Sequence, residues 1–324
     1  MAQAVVIEAY GGPEVLQVKQ VAVGNPGPTQ VRLRHTRIGV NFHDVYVRSG
    51  LYKTLTLPGI PGIEAAGVVE ECGREATRWK PGDRVAYVTG AYGVYASERL
   101  IDEAELLAVP EGVSDASAAS ALLRGLTVEM LLNRVHKVKS GMWILVQAAA
   151  GGVGQLLCQW ASHIGAHVIG TVADDDQAAL AAAAGCQHRI NFRRENVAGR
   201  VREITEGRGV AVAYDGVGKE SFSGSLDALD FFGHLVNFGQ ASGAVPAFEV
   251  SRLAARSNTV SRPIIFHYVR EARMRQEMSA NVFAGLNEGW LKVNAPREFA
   301  LSEAAESHRV IESQGASVPL LLVP

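Results

Sequence analysis

Hydrophobic and polar positions alternate in short runs along the first third of the chain, as is typical of β-strands. In residues 29–38, Val31 and Leu33 share one face with His35, and polar side chains take the other. Turns rich in glycine and proline separate these runs. The pattern therefore predicts a β domain built from strands at Ala4–Ile7, Val15–Val23, Gln30–Val40, Ala65–Glu71, Asp83–Val88 and Val94–Ile101.

After Ser114 the pattern changes to an alternation of helix-like and strand-like segments. Ala118–Val135 has a helical period, and the Ser and Asp residues of 114–117 that precede it are typical of a helix N-cap. Strands are then predicted at Trp143–Gln147, His167–Val172, His188–Asn191, Val210–Tyr214 and His234–Phe238. Helices are predicted at Gln155–Ile164, Asp176–Ala184, Val197–Thr205 and Phe222–Leu229. This order predicts an α/β fold with a doubly wound parallel sheet, as in a Rossmann domain.

The last part of the chain returns to short elements. A helix is predicted at Met274–Glu288, β-type segments at Leu291–Phe299 and Val318–Val323, and a helix around Ser302–Glu312. A chain of 324 residues exceeds the usual single domain, so we expect two. We place the β domain at residues 1–118, completed by 267–324, and the nucleotide-binding domain at 119–266.

Composition narrows the class of protein. Hydrophobic residues make up 48% of the chain and charged residues 20%, as in an ordinary globular enzyme. A net charge of −2 gives no basic field for nucleic acid or anionic membrane. The three cysteines form no C-x-x-C pair, we find no signal peptide, and no run reaches the roughly 18 apolar residues of a membrane span. We expect a cytoplasmic protein.

A strand, a turn of small residues and a helix follow one another from Trp143 to Ile164, and this order is typical of a pyrophosphate-binding loop. The pattern G-x-G-x-x-G appears as Ala149, Gly151 and Gly154, with alanine first. Backbone N–H groups and the helix N-terminus would hold the phosphates. A tight turn that binds no ligand has a similar sequence. The predicted contacts are Ala150, Gly151, Gly152, Val153 and Gly154.

Two later loops follow predicted parallel strands, and ligands bind at that end of such sheets. We expect these loops to contact the ribose and nicotinamide of a dinucleotide. Their residues are Gly216, Val217, Phe238, Gly239 and Gln240.

Short motifs along the whole chain resemble the zinc-independent quinone oxidoreductase branch, zeta-crystallin-like, of the medium-chain dehydrogenase/reductase family. They are residues 10–16 (YGGPEVL), 38–44 (IGVNFHD), 48–52 (RSGLY), 61–67 (PGIEAAG), 81–85 (PGDRV), 124–127 (RGLT), 148–154 (AAAGGVG), 214–218 (YDGVG) and 262–263 (RP). The resemblance implies a GroES-like β domain formed by both chain ends, a Rossmann domain, a nicotinamide cofactor and a homodimer.

The resemblance also implies roles for individual residues. Asn41 and Thr127 are expected to hold the nicotinamide end. Tyr46 and Tyr52 are expected to line the acceptor pocket, where either phenol would donate a hydrogen bond to the acceptor oxygen. Packing of loop residues is the alternative for both tyrosines. Arg48 would either steer an anionic acceptor or lie on the surface.

The residues argue against a catalytic zinc ion. Zinc-using members of the family carry Cys and His where this chain has Asn41 and Ile63, and neither replacement is a good zinc ligand. The four-cysteine lobe of those members is absent as well. His43, Asp44 and Glu64 lie nearby without matched spacing, which is more typical of a solvated loop or a hydrogen-bonded core. We expect no bound metal.

The choice between NADPH and NADH is open. The family branch usually binds the 2′-phosphate of NADPH with Ser or Thr, Lys and Tyr, where this chain has Asp174, Gln177 and Phe192. Asp174 follows Gly154 by twenty residues, where an acid binds the ribose 2′-hydroxyl of NAD. A carboxylate there would repel a phosphate by on the order of 1–4 kcal/mol per charge pair.

Three arginines near the end of the next predicted strand support the opposite choice, because a guanidinium binds phosphate well. They are Arg189, Arg193 and Arg194. The family therefore favours NADPH and the residues after the second strand favour NADH, and use of both is a third possibility.

Three functions remain in view. The first is an NAD(P)H-dependent quinone oxidoreductase, in which the conjugated acceptor takes up the hydride without a Lewis acid. The second is an alkene reductase of the same fold that acts on an enone or acrylate, since acceptor pockets are lined by variable loops. The third is a non-catalytic, crystallin-like or RNA-binding protein, although the near-neutral charge argues against RNA.

Overall fold

The computed structural model describes residues 1–314 and 317–324 of the chain. Its strands, numbered along the chain, are β1 (Ala2–Val6), β2 (Gln17–Val21), β3 (Gln30–Val40), β4 (Glu64–Cys72), β5 (Arg84–Val88), β6 (Glu98–Asp102), β7 (Leu107–Ala108), β8 (Trp143–Val146), β9 (His167–Val172), β10 (His188–Asn191), β11 (Val210–Asp215), β12 (Leu229–Asn237), β13 (Thr259–Ser261), β14 (Arg297–Ala300) and β15 (Leu320–Val323).

The α-helices are α1 (Phe42–Ser49), α2 (Asp115–Glu129), α3 (Gly152–Ile164), α4 (Asp175–Ala183), α5 (Val197–Ile204), α6 (Phe222–Asp227), α7 (Ile265–Val269), α8 (Ala272–Glu288) and α9 (Ala304–Gln314). Short 3₁₀ turns lie at Pro13–Val15, Glu103–Glu105, Val250–Ala255 and Leu301–Glu303, and α2 continues as a π-helix over Met130–Val135. In the described part of the chain no helix is long and apolar enough to cross a membrane.

The chain divides into two compact units. The first comprises residues 1–124, 269–288 and 293–324, and the second comprises residues 125–268 and 289–292. The first unit is thus built from both ends of the chain, and the second from the middle.

The first unit is organised on the long strand β3. It pairs antiparallel with β4, β6 and β15, within a sheet ordered β14-β15-β3-β4-β5-β7. The alternation predicted for β3 is confirmed. Val31, Leu33 and His35 are buried, while Arg34, between the last two, is exposed. His35 is buried because both ring nitrogens have partners, at 2.6 Å from the Ala96 carbonyl and 2.8 Å from the Tyr87 hydroxyl.

The second unit is a six-stranded parallel sheet in the order β10-β9-β8-β11-β12-β13. Strands β8 and β11 lie at its centre and are almost fully buried, as expected of parallel strands covered by helices on both faces. The predicted α/β fold with a doubly wound parallel sheet is confirmed.

One predicted segment needs correction. The β-type segment at Leu291–Phe299 is wrong over most of its length, since only β14 is a strand there. Lys292 instead pairs with a side chain: its N–H donates to Gln159 Oε1 at 2.7 Å, and Gln159 Nε2 donates to its carbonyl at 3.1 Å. These contacts fix residues 289–292 to α3 of the second unit.

Helix α1 is an element that the hydrophobic pattern does not predict. Asn41 precedes it in an extended conformation, and Gly50 ends it at φ 80°. A side chain at Gly50 would meet the ring of Tyr10 at 2.9 Å, so glycine is required for both reasons. These two residues were the available signal, since eight residues are too few to show a helical period.

Candidate active site

The predicted pyrophosphate loop joins β8 to α3. Gly151 lies at the N-terminus of α3 without a side-chain cap, so the first backbone N–H groups of the helix remain available to an anion. A Cβ at Gly154 would lie 2.2 Å from the Ala148 carbonyl oxygen, and so only glycine allows the helix to approach the loop. The residues present fit a dinucleotide pyrophosphate.

A chain of hydrogen bonds between buried side chains holds the backbone of this loop. The Ala148 N–H donates to Thr171 Oγ1 at 3.0 Å, and the Thr171 hydroxyl donates to Gln147 Oε1 at 2.7 Å. Gln147 Nε2 donates to Ser225 Oγ at 2.9 Å, and Ser225 donates to Asp215 Oδ2 at 3.1 Å. Ala148 has a left-handed φ of 53°, and the bond from its N–H to Thr171 Oγ1 helps to hold that conformation. Sequence reasoning missed Gln147, Thr171 and Ser225.

Asp215 holds the second predicted cofactor loop. Its carboxylate is fully buried and accepts from the N–H groups of Val217 and Gly218, both at 2.9 Å, and from Ser221 Oγ at 2.7 Å. Hydrogen bonds to a carboxylate are shorter and stronger than those between neutral groups. The same carboxylate thus fixes the loop after β11 and, through Ser225, the loop after β8.

The loops after β11 and β12 touch each other, as their shared position at the carboxyl ends of parallel strands requires. A Cβ at Gly216 would lie 2.9 Å from the Phe238 ring, and one at Gly239 would lie 2.5 Å from the Gly216 carbonyl oxygen. A Cβ at Gly218 would lie 3.1 Å from the Gln240 Cα. The structure therefore brings Gly216, Phe238, Gly239 and Gln240 together.

Asp174 and Gln177 form the N-terminal cap of α4. Asp174 Oδ1 accepts from the Gln177 N–H at 2.9 Å, and Gln177 Oε1 accepts from the Ala173 N–H at 3.0 Å. Such a reciprocal pair satisfies two backbone donors at the helix start. Asp174 therefore has a structural role that the sequence reasoning did not assign.

The candidate residues in and after β10 differ in how many hydrogen bonds they make. Phe192 is 47% exposed. Arg189 Nη1 donates to the carbonyls of Cys186 and Gln187, so part of that guanidinium is bonded to the turn that precedes β10. Arg193 is fixed through its backbone, whose N–H donates to Asn191 Oδ1 at 3.0 Å.

In the first unit, the amide of Asn41 is held by a buried carboxylate. Asn41 Nδ2 donates to Glu64 Oε2 at 3.0 Å, and Glu64 Oε1 accepts from the Leu123 N–H at 2.6 Å. A Cβ at Gly39 would lie 2.5 Å from Glu64 Oε2, so this glycine makes room for the carboxylate. Burial raises the pKa of Glu64 to about 7. Thr127 lies half-buried on α2, in the second unit.

Tyr46 and Tyr52 belong to a larger group of rings, here called the aromatic cluster: Phe42, His43, Tyr46, Tyr52 and Tyr92. The ring centroids of Tyr46 and Tyr52 lie 5.0 Å apart, and those of His43 and Tyr52 lie 5.7 Å apart. His43 stacks on Tyr92 at 6.0 Å, and Phe42 lies 6.2 Å from Tyr46. Sequence reasoning missed Tyr92. Its signal is the turn Gly90-Ala-Tyr-Gly93, in which Tyr92 has a φ of 58°.

Arg48 neither lies on the surface nor is available to an anionic acceptor, so both sequence-based expectations are wrong. It is 2% exposed, and its Nη1 and Nη2 donate to the Glu312 carboxylate at 2.9 and 2.8 Å. Nη1 also lies 3.3 Å from His308 Nδ1. The guanidinium is therefore used within the unit.

Asp44 lies in the hydrogen-bonded core, one of the two possibilities that the sequence left. Its Oδ2 accepts from the Asn41 N–H at 2.8 Å and from the Tyr95 hydroxyl at 3.1 Å. Burial raises its pKa to about 7. Among the residues that the structure describes, no three His, Cys, Asp or Glu side chains form a group that fits a metal ion.

Comparison with known proteins agrees with this geometry. Residues 27–111 match the model of the alcohol dehydrogenase GroES-like domain, and residues 152–282 match that of the zinc-binding dehydrogenases. A quinone oxidoreductase of Pseudomonas aeruginosa is 40% identical over the full length of both chains. The chain belongs to the quinone oxidoreductase branch of the medium-chain dehydrogenase/reductase family. It is accordingly an oxidoreductase.

Two further members of the family bear on the cofactor and the acceptor. The structure of Escherichia coli quinone oxidoreductase complexed with NADPH superposes with a TM-score of 0.96 at 37% identity, covering all of both chains. A 2-haloacrylate reductase of Burkholderia is 40% identical and covers 100% of this chain and 99% of its own. Zinc appears in the name of one matching family model, yet buried Ile63 and the Asn41 amide occupy the expected ligand positions and do not fit that ion.

Proposed function

We propose that this protein reduces quinones with NADPH or NADH and does so without zinc. The observation that carries the proposal is the full-length similarity, at 37–40% identity, to bacterial quinone oxidoreductases. The dinucleotide loop and the chain of buried hydrogen bonds that holds it support a nicotinamide cofactor. The nicotinamide supplies the hydride when it is bound.

The chain's own residues would then orient the reactants and stabilise charge. Asn41, whose amide is oriented by Glu64, and Thr127 would hold the nicotinamide carboxamide. Tyr46 and Tyr52 would line the acceptor, and a phenol hydroxyl would donate a hydrogen bond to the oxyanion that develops on it. A conjugated acceptor spreads that charge by itself, so no metal is needed to polarise it.

A direct assay tests the function. We expect the protein to oxidise NADPH or NADH in the presence of 1,4-benzoquinone, followed as loss of absorbance by the reduced cofactor. The assay should be run with and without a chelator. Loss of activity in the chelator would contradict the zinc-independent reaction, and no oxidation with any quinone would contradict the proposed function.

For the cofactor, we propose that the protein uses both dinucleotides and that Asp174 limits the use of NADPH. The solved relatives in complex with NADPH favour a 2′-phosphate. The Asp174 carboxylate, half-buried at the start of α4, would lie beside that phosphate and repel it. Arg193 would supply the opposing positive charge.

Changing Asp174→Ser together with Gln177→Lys should raise the ratio of kcat/KM for NADPH to that for NADH by about tenfold, the equivalent of 1.4 kcal/mol. Serine also caps helices, so α4 should keep its main cap, while lysine gives up the weaker contribution of the Gln177 bond to the Ala173 N–H. The exposed neighbour Asp175, changed to Asn, removes one charge without touching the cap and serves as the control. An equal ratio in the double variant and the wild type would contradict the 2′-site.

An alkene reductase is the second candidate, because the 2-haloacrylate reductase relative is as similar as the quinone oxidoreductase. Its acceptor would receive hydride at the carbon β to a carbonyl. Including 2-chloroacrylate in the assay distinguishes the two. The homodimer that the resemblance implies and the cytoplasmic location that the composition suggests stay predictions.

A further inference from the structure

We propose that Tyr95 and His308 are positioning residues for the cofactor, because they fix Asp44 and thereby Asn41, the residue that we propose holds the nicotinamide. The inference rests on the proposed function, from which it takes the role of Asn41. It extends the site to two buried side chains that neither the sequence pattern nor the comparisons assign to it. These two side chains lie 213 residues apart in the chain.

Asn41 is held at two points, each by a buried carboxylate. Its backbone N–H donates to Asp44 Oδ2 at 2.8 Å at the N-terminus of α1, and its side-chain amide donates to Glu64 Oε2 at 3.0 Å. A binding group that is fixed in advance loses less entropy when its ligand binds. The position of Asp44 therefore influences how well the Asn41 amide is placed for a nicotinamide.

A chain of buried hydrogen bonds connects Asp44 to helix α9. The Tyr95 hydroxyl donates to Asp44 Oδ2 at 3.1 Å and lies 3.0 Å from His308 Nε2. On the other side of the imidazole, His308 Nδ1 lies 3.3 Å from Arg48 Nη1, and Arg48 is paired with Glu312, also on α9. Asp44, Tyr95 and His308 are all fully buried. The position of the carboxylate thus depends on a side chain of α9.

The direction of each bond in this chain follows from the chemistry of its members. Arg48 has only donors, so His308 Nδ1 accepts from it. Burial and the neighbouring Arg48 charge lower the pKa of His308 to about 3, so the ring is neutral and carries its one proton on Nε2. Nε2 then donates to the Tyr95 oxygen, and the phenol hydrogen points to Asp44. Every bond therefore places a donor towards the carboxylate, and removing either ring interrupts the series.

The ring of Tyr95 is also fixed by the backbone around it. Its N–H donates to the Pro61 carbonyl at 2.9 Å, and its carbonyl accepts from the Val5 N–H at 2.8 Å. A Cβ at Gly62 would overlap the ring, so the phenol packs directly on the backbone two residues before Glu64. Tyr95 therefore contacts the segments that carry both of the carboxylates that hold the asparagine.

The carboxylate at the end of the chain is one that packing alone would not favour. Burial raises the pKa of Asp44 to about 7, so its ionised form costs stability. A neutral side chain of similar size would fit the same space at a lower cost. Acids with perturbed pKa values concentrate at functional sites, and the contact between Asp44 and Asn41 agrees with such a role.

The test separates the nicotinamide from the rest of the cofactor. ADP-ribose is NADH without its nicotinamide, as 2′-phospho-ADP-ribose is NADPH without it. Tyr95→Phe keeps the ring and removes the donor to Asp44. It should raise the Kd for the reduced cofactor roughly three- to tenfold, as expected when one hydrogen bond is lost, and leave the Kd for the matching fragment unchanged. Isothermal titration calorimetry measures both constants.

Two variants of His308 test the next bond in the chain. His308→Leu removes the donor to Tyr95 and should raise the Kd for the reduced cofactor about two- to fivefold. His308→Gln keeps an N–H donor and an acceptor, so it should recover most of that affinity. A glutamine variant that binds as weakly as the leucine variant would contradict the role of this hydrogen bond.

Tyr87→Phe is the matched control. Tyr87 is also fully buried in the first unit, and its hydroxyl lies 2.8 Å from His35 Nε2. Among the described residues, this second pair has no bond to Asp44 or Asn41. The control should lower the urea concentration at half-unfolding as Tyr95→Phe does, and leave the Kd for the reduced cofactor unchanged.

Three results would overturn the inference: an unchanged Kd for the reduced cofactor in Tyr95→Phe, an equal loss of affinity for cofactor and fragment, or the same loss in Tyr87→Phe. Quinone reduction is a separate result. A wild type that binds the cofactor and reduces no quinone overturns the proposed function, and the binding constants still decide the role of Tyr95. A wild type that binds neither NADH nor NADPH overturns both.

Discussion

Replacing Asp215 with alanine is expected to lower the free energy of unfolding by about 3–5 kcal/mol and to raise KM for the reduced cofactor at least tenfold. The variant leaves four donors without their acceptor: the N–H groups of Val217 and Gly218 and the hydroxyls of Ser221 and Ser225. An unpaired buried donor costs roughly 1–3 kcal/mol, and relaxation and entering water reduce the sum. Urea unfolding followed by circular dichroism measures the first effect.

The cofactor effect follows from the position of Asp215 between two loops. Without the carboxylate, the loop after β11 loses its anchor and the Gln147–Ser225 contact loses its support. Ser225→Ala is the control, because it cuts the connection to Gln147 and leaves three donors on Asp215. It should cost about 1–2 kcal/mol with a smaller rise in KM. An Asp215→Ala variant with wild-type KM would show that the network only stabilises the fold.

Asp44→Asn is expected to stabilise the protein, and more so as the pH rises. From pH 5 to pH 8, its advantage over the wild type in free energy of unfolding should grow by about 2–3 kcal/mol. The reason is the buried carboxyl, whose pKa rises from 3.8 to about 7 on folding. Between these values the unfolded chain has released a proton that the folded chain retains, so the contribution of Asp44 to stability falls as the pH rises.

The groups around Asp44 explain why its charge is poorly compensated. Glu64 is a second buried acid, and burial lowers the pKa of His308 to about 3, so this imidazole is neutral. Arg48 is paired with Glu312, and Asp44 Oδ1 has no hydrogen-bond partner among the described residues. Unfolding in urea at pH 5, 6.5 and 8 tests the prediction. A constant difference between variant and wild type would mean that Asp44 is already ionised at pH 5.

Local patterns in the sequence predicted those strands and helices in which the same face is buried along the whole element. β3 alternates because one face is buried, and the strand, turn and helix from Trp143 to Ile164 appear where expected because parallel strands are apolar and helix α3 is amphipathic. The structure of residues 289–292 could not be predicted from local patterns, because Lys292 bonds to Gln159, which is more than a hundred residues away in the sequence.

The supporting residues of the candidate site could not be predicted for the same reason. Gln147 and Ser225 are 78 residues apart, and His43 and Tyr92 are 49 apart. Glutamine, serine and tyrosine at these positions have no distinctive local pattern, and only the fold brings them into contact. The loop glycines were predictable because the need for space at Gly154 is local to one turn.

The double use of Asp174 has a consequence for how cofactor preference evolves in this lineage. The carboxylate that we propose faces the ribose also caps α4, so a change to most residues would cost helix stability at once. Asparagine differs from aspartate by a single nucleotide in the codon, lacks the charge and caps equally well. Evolution from NADH towards NADPH therefore has a one-step path that does not pass through a less stable ancestor.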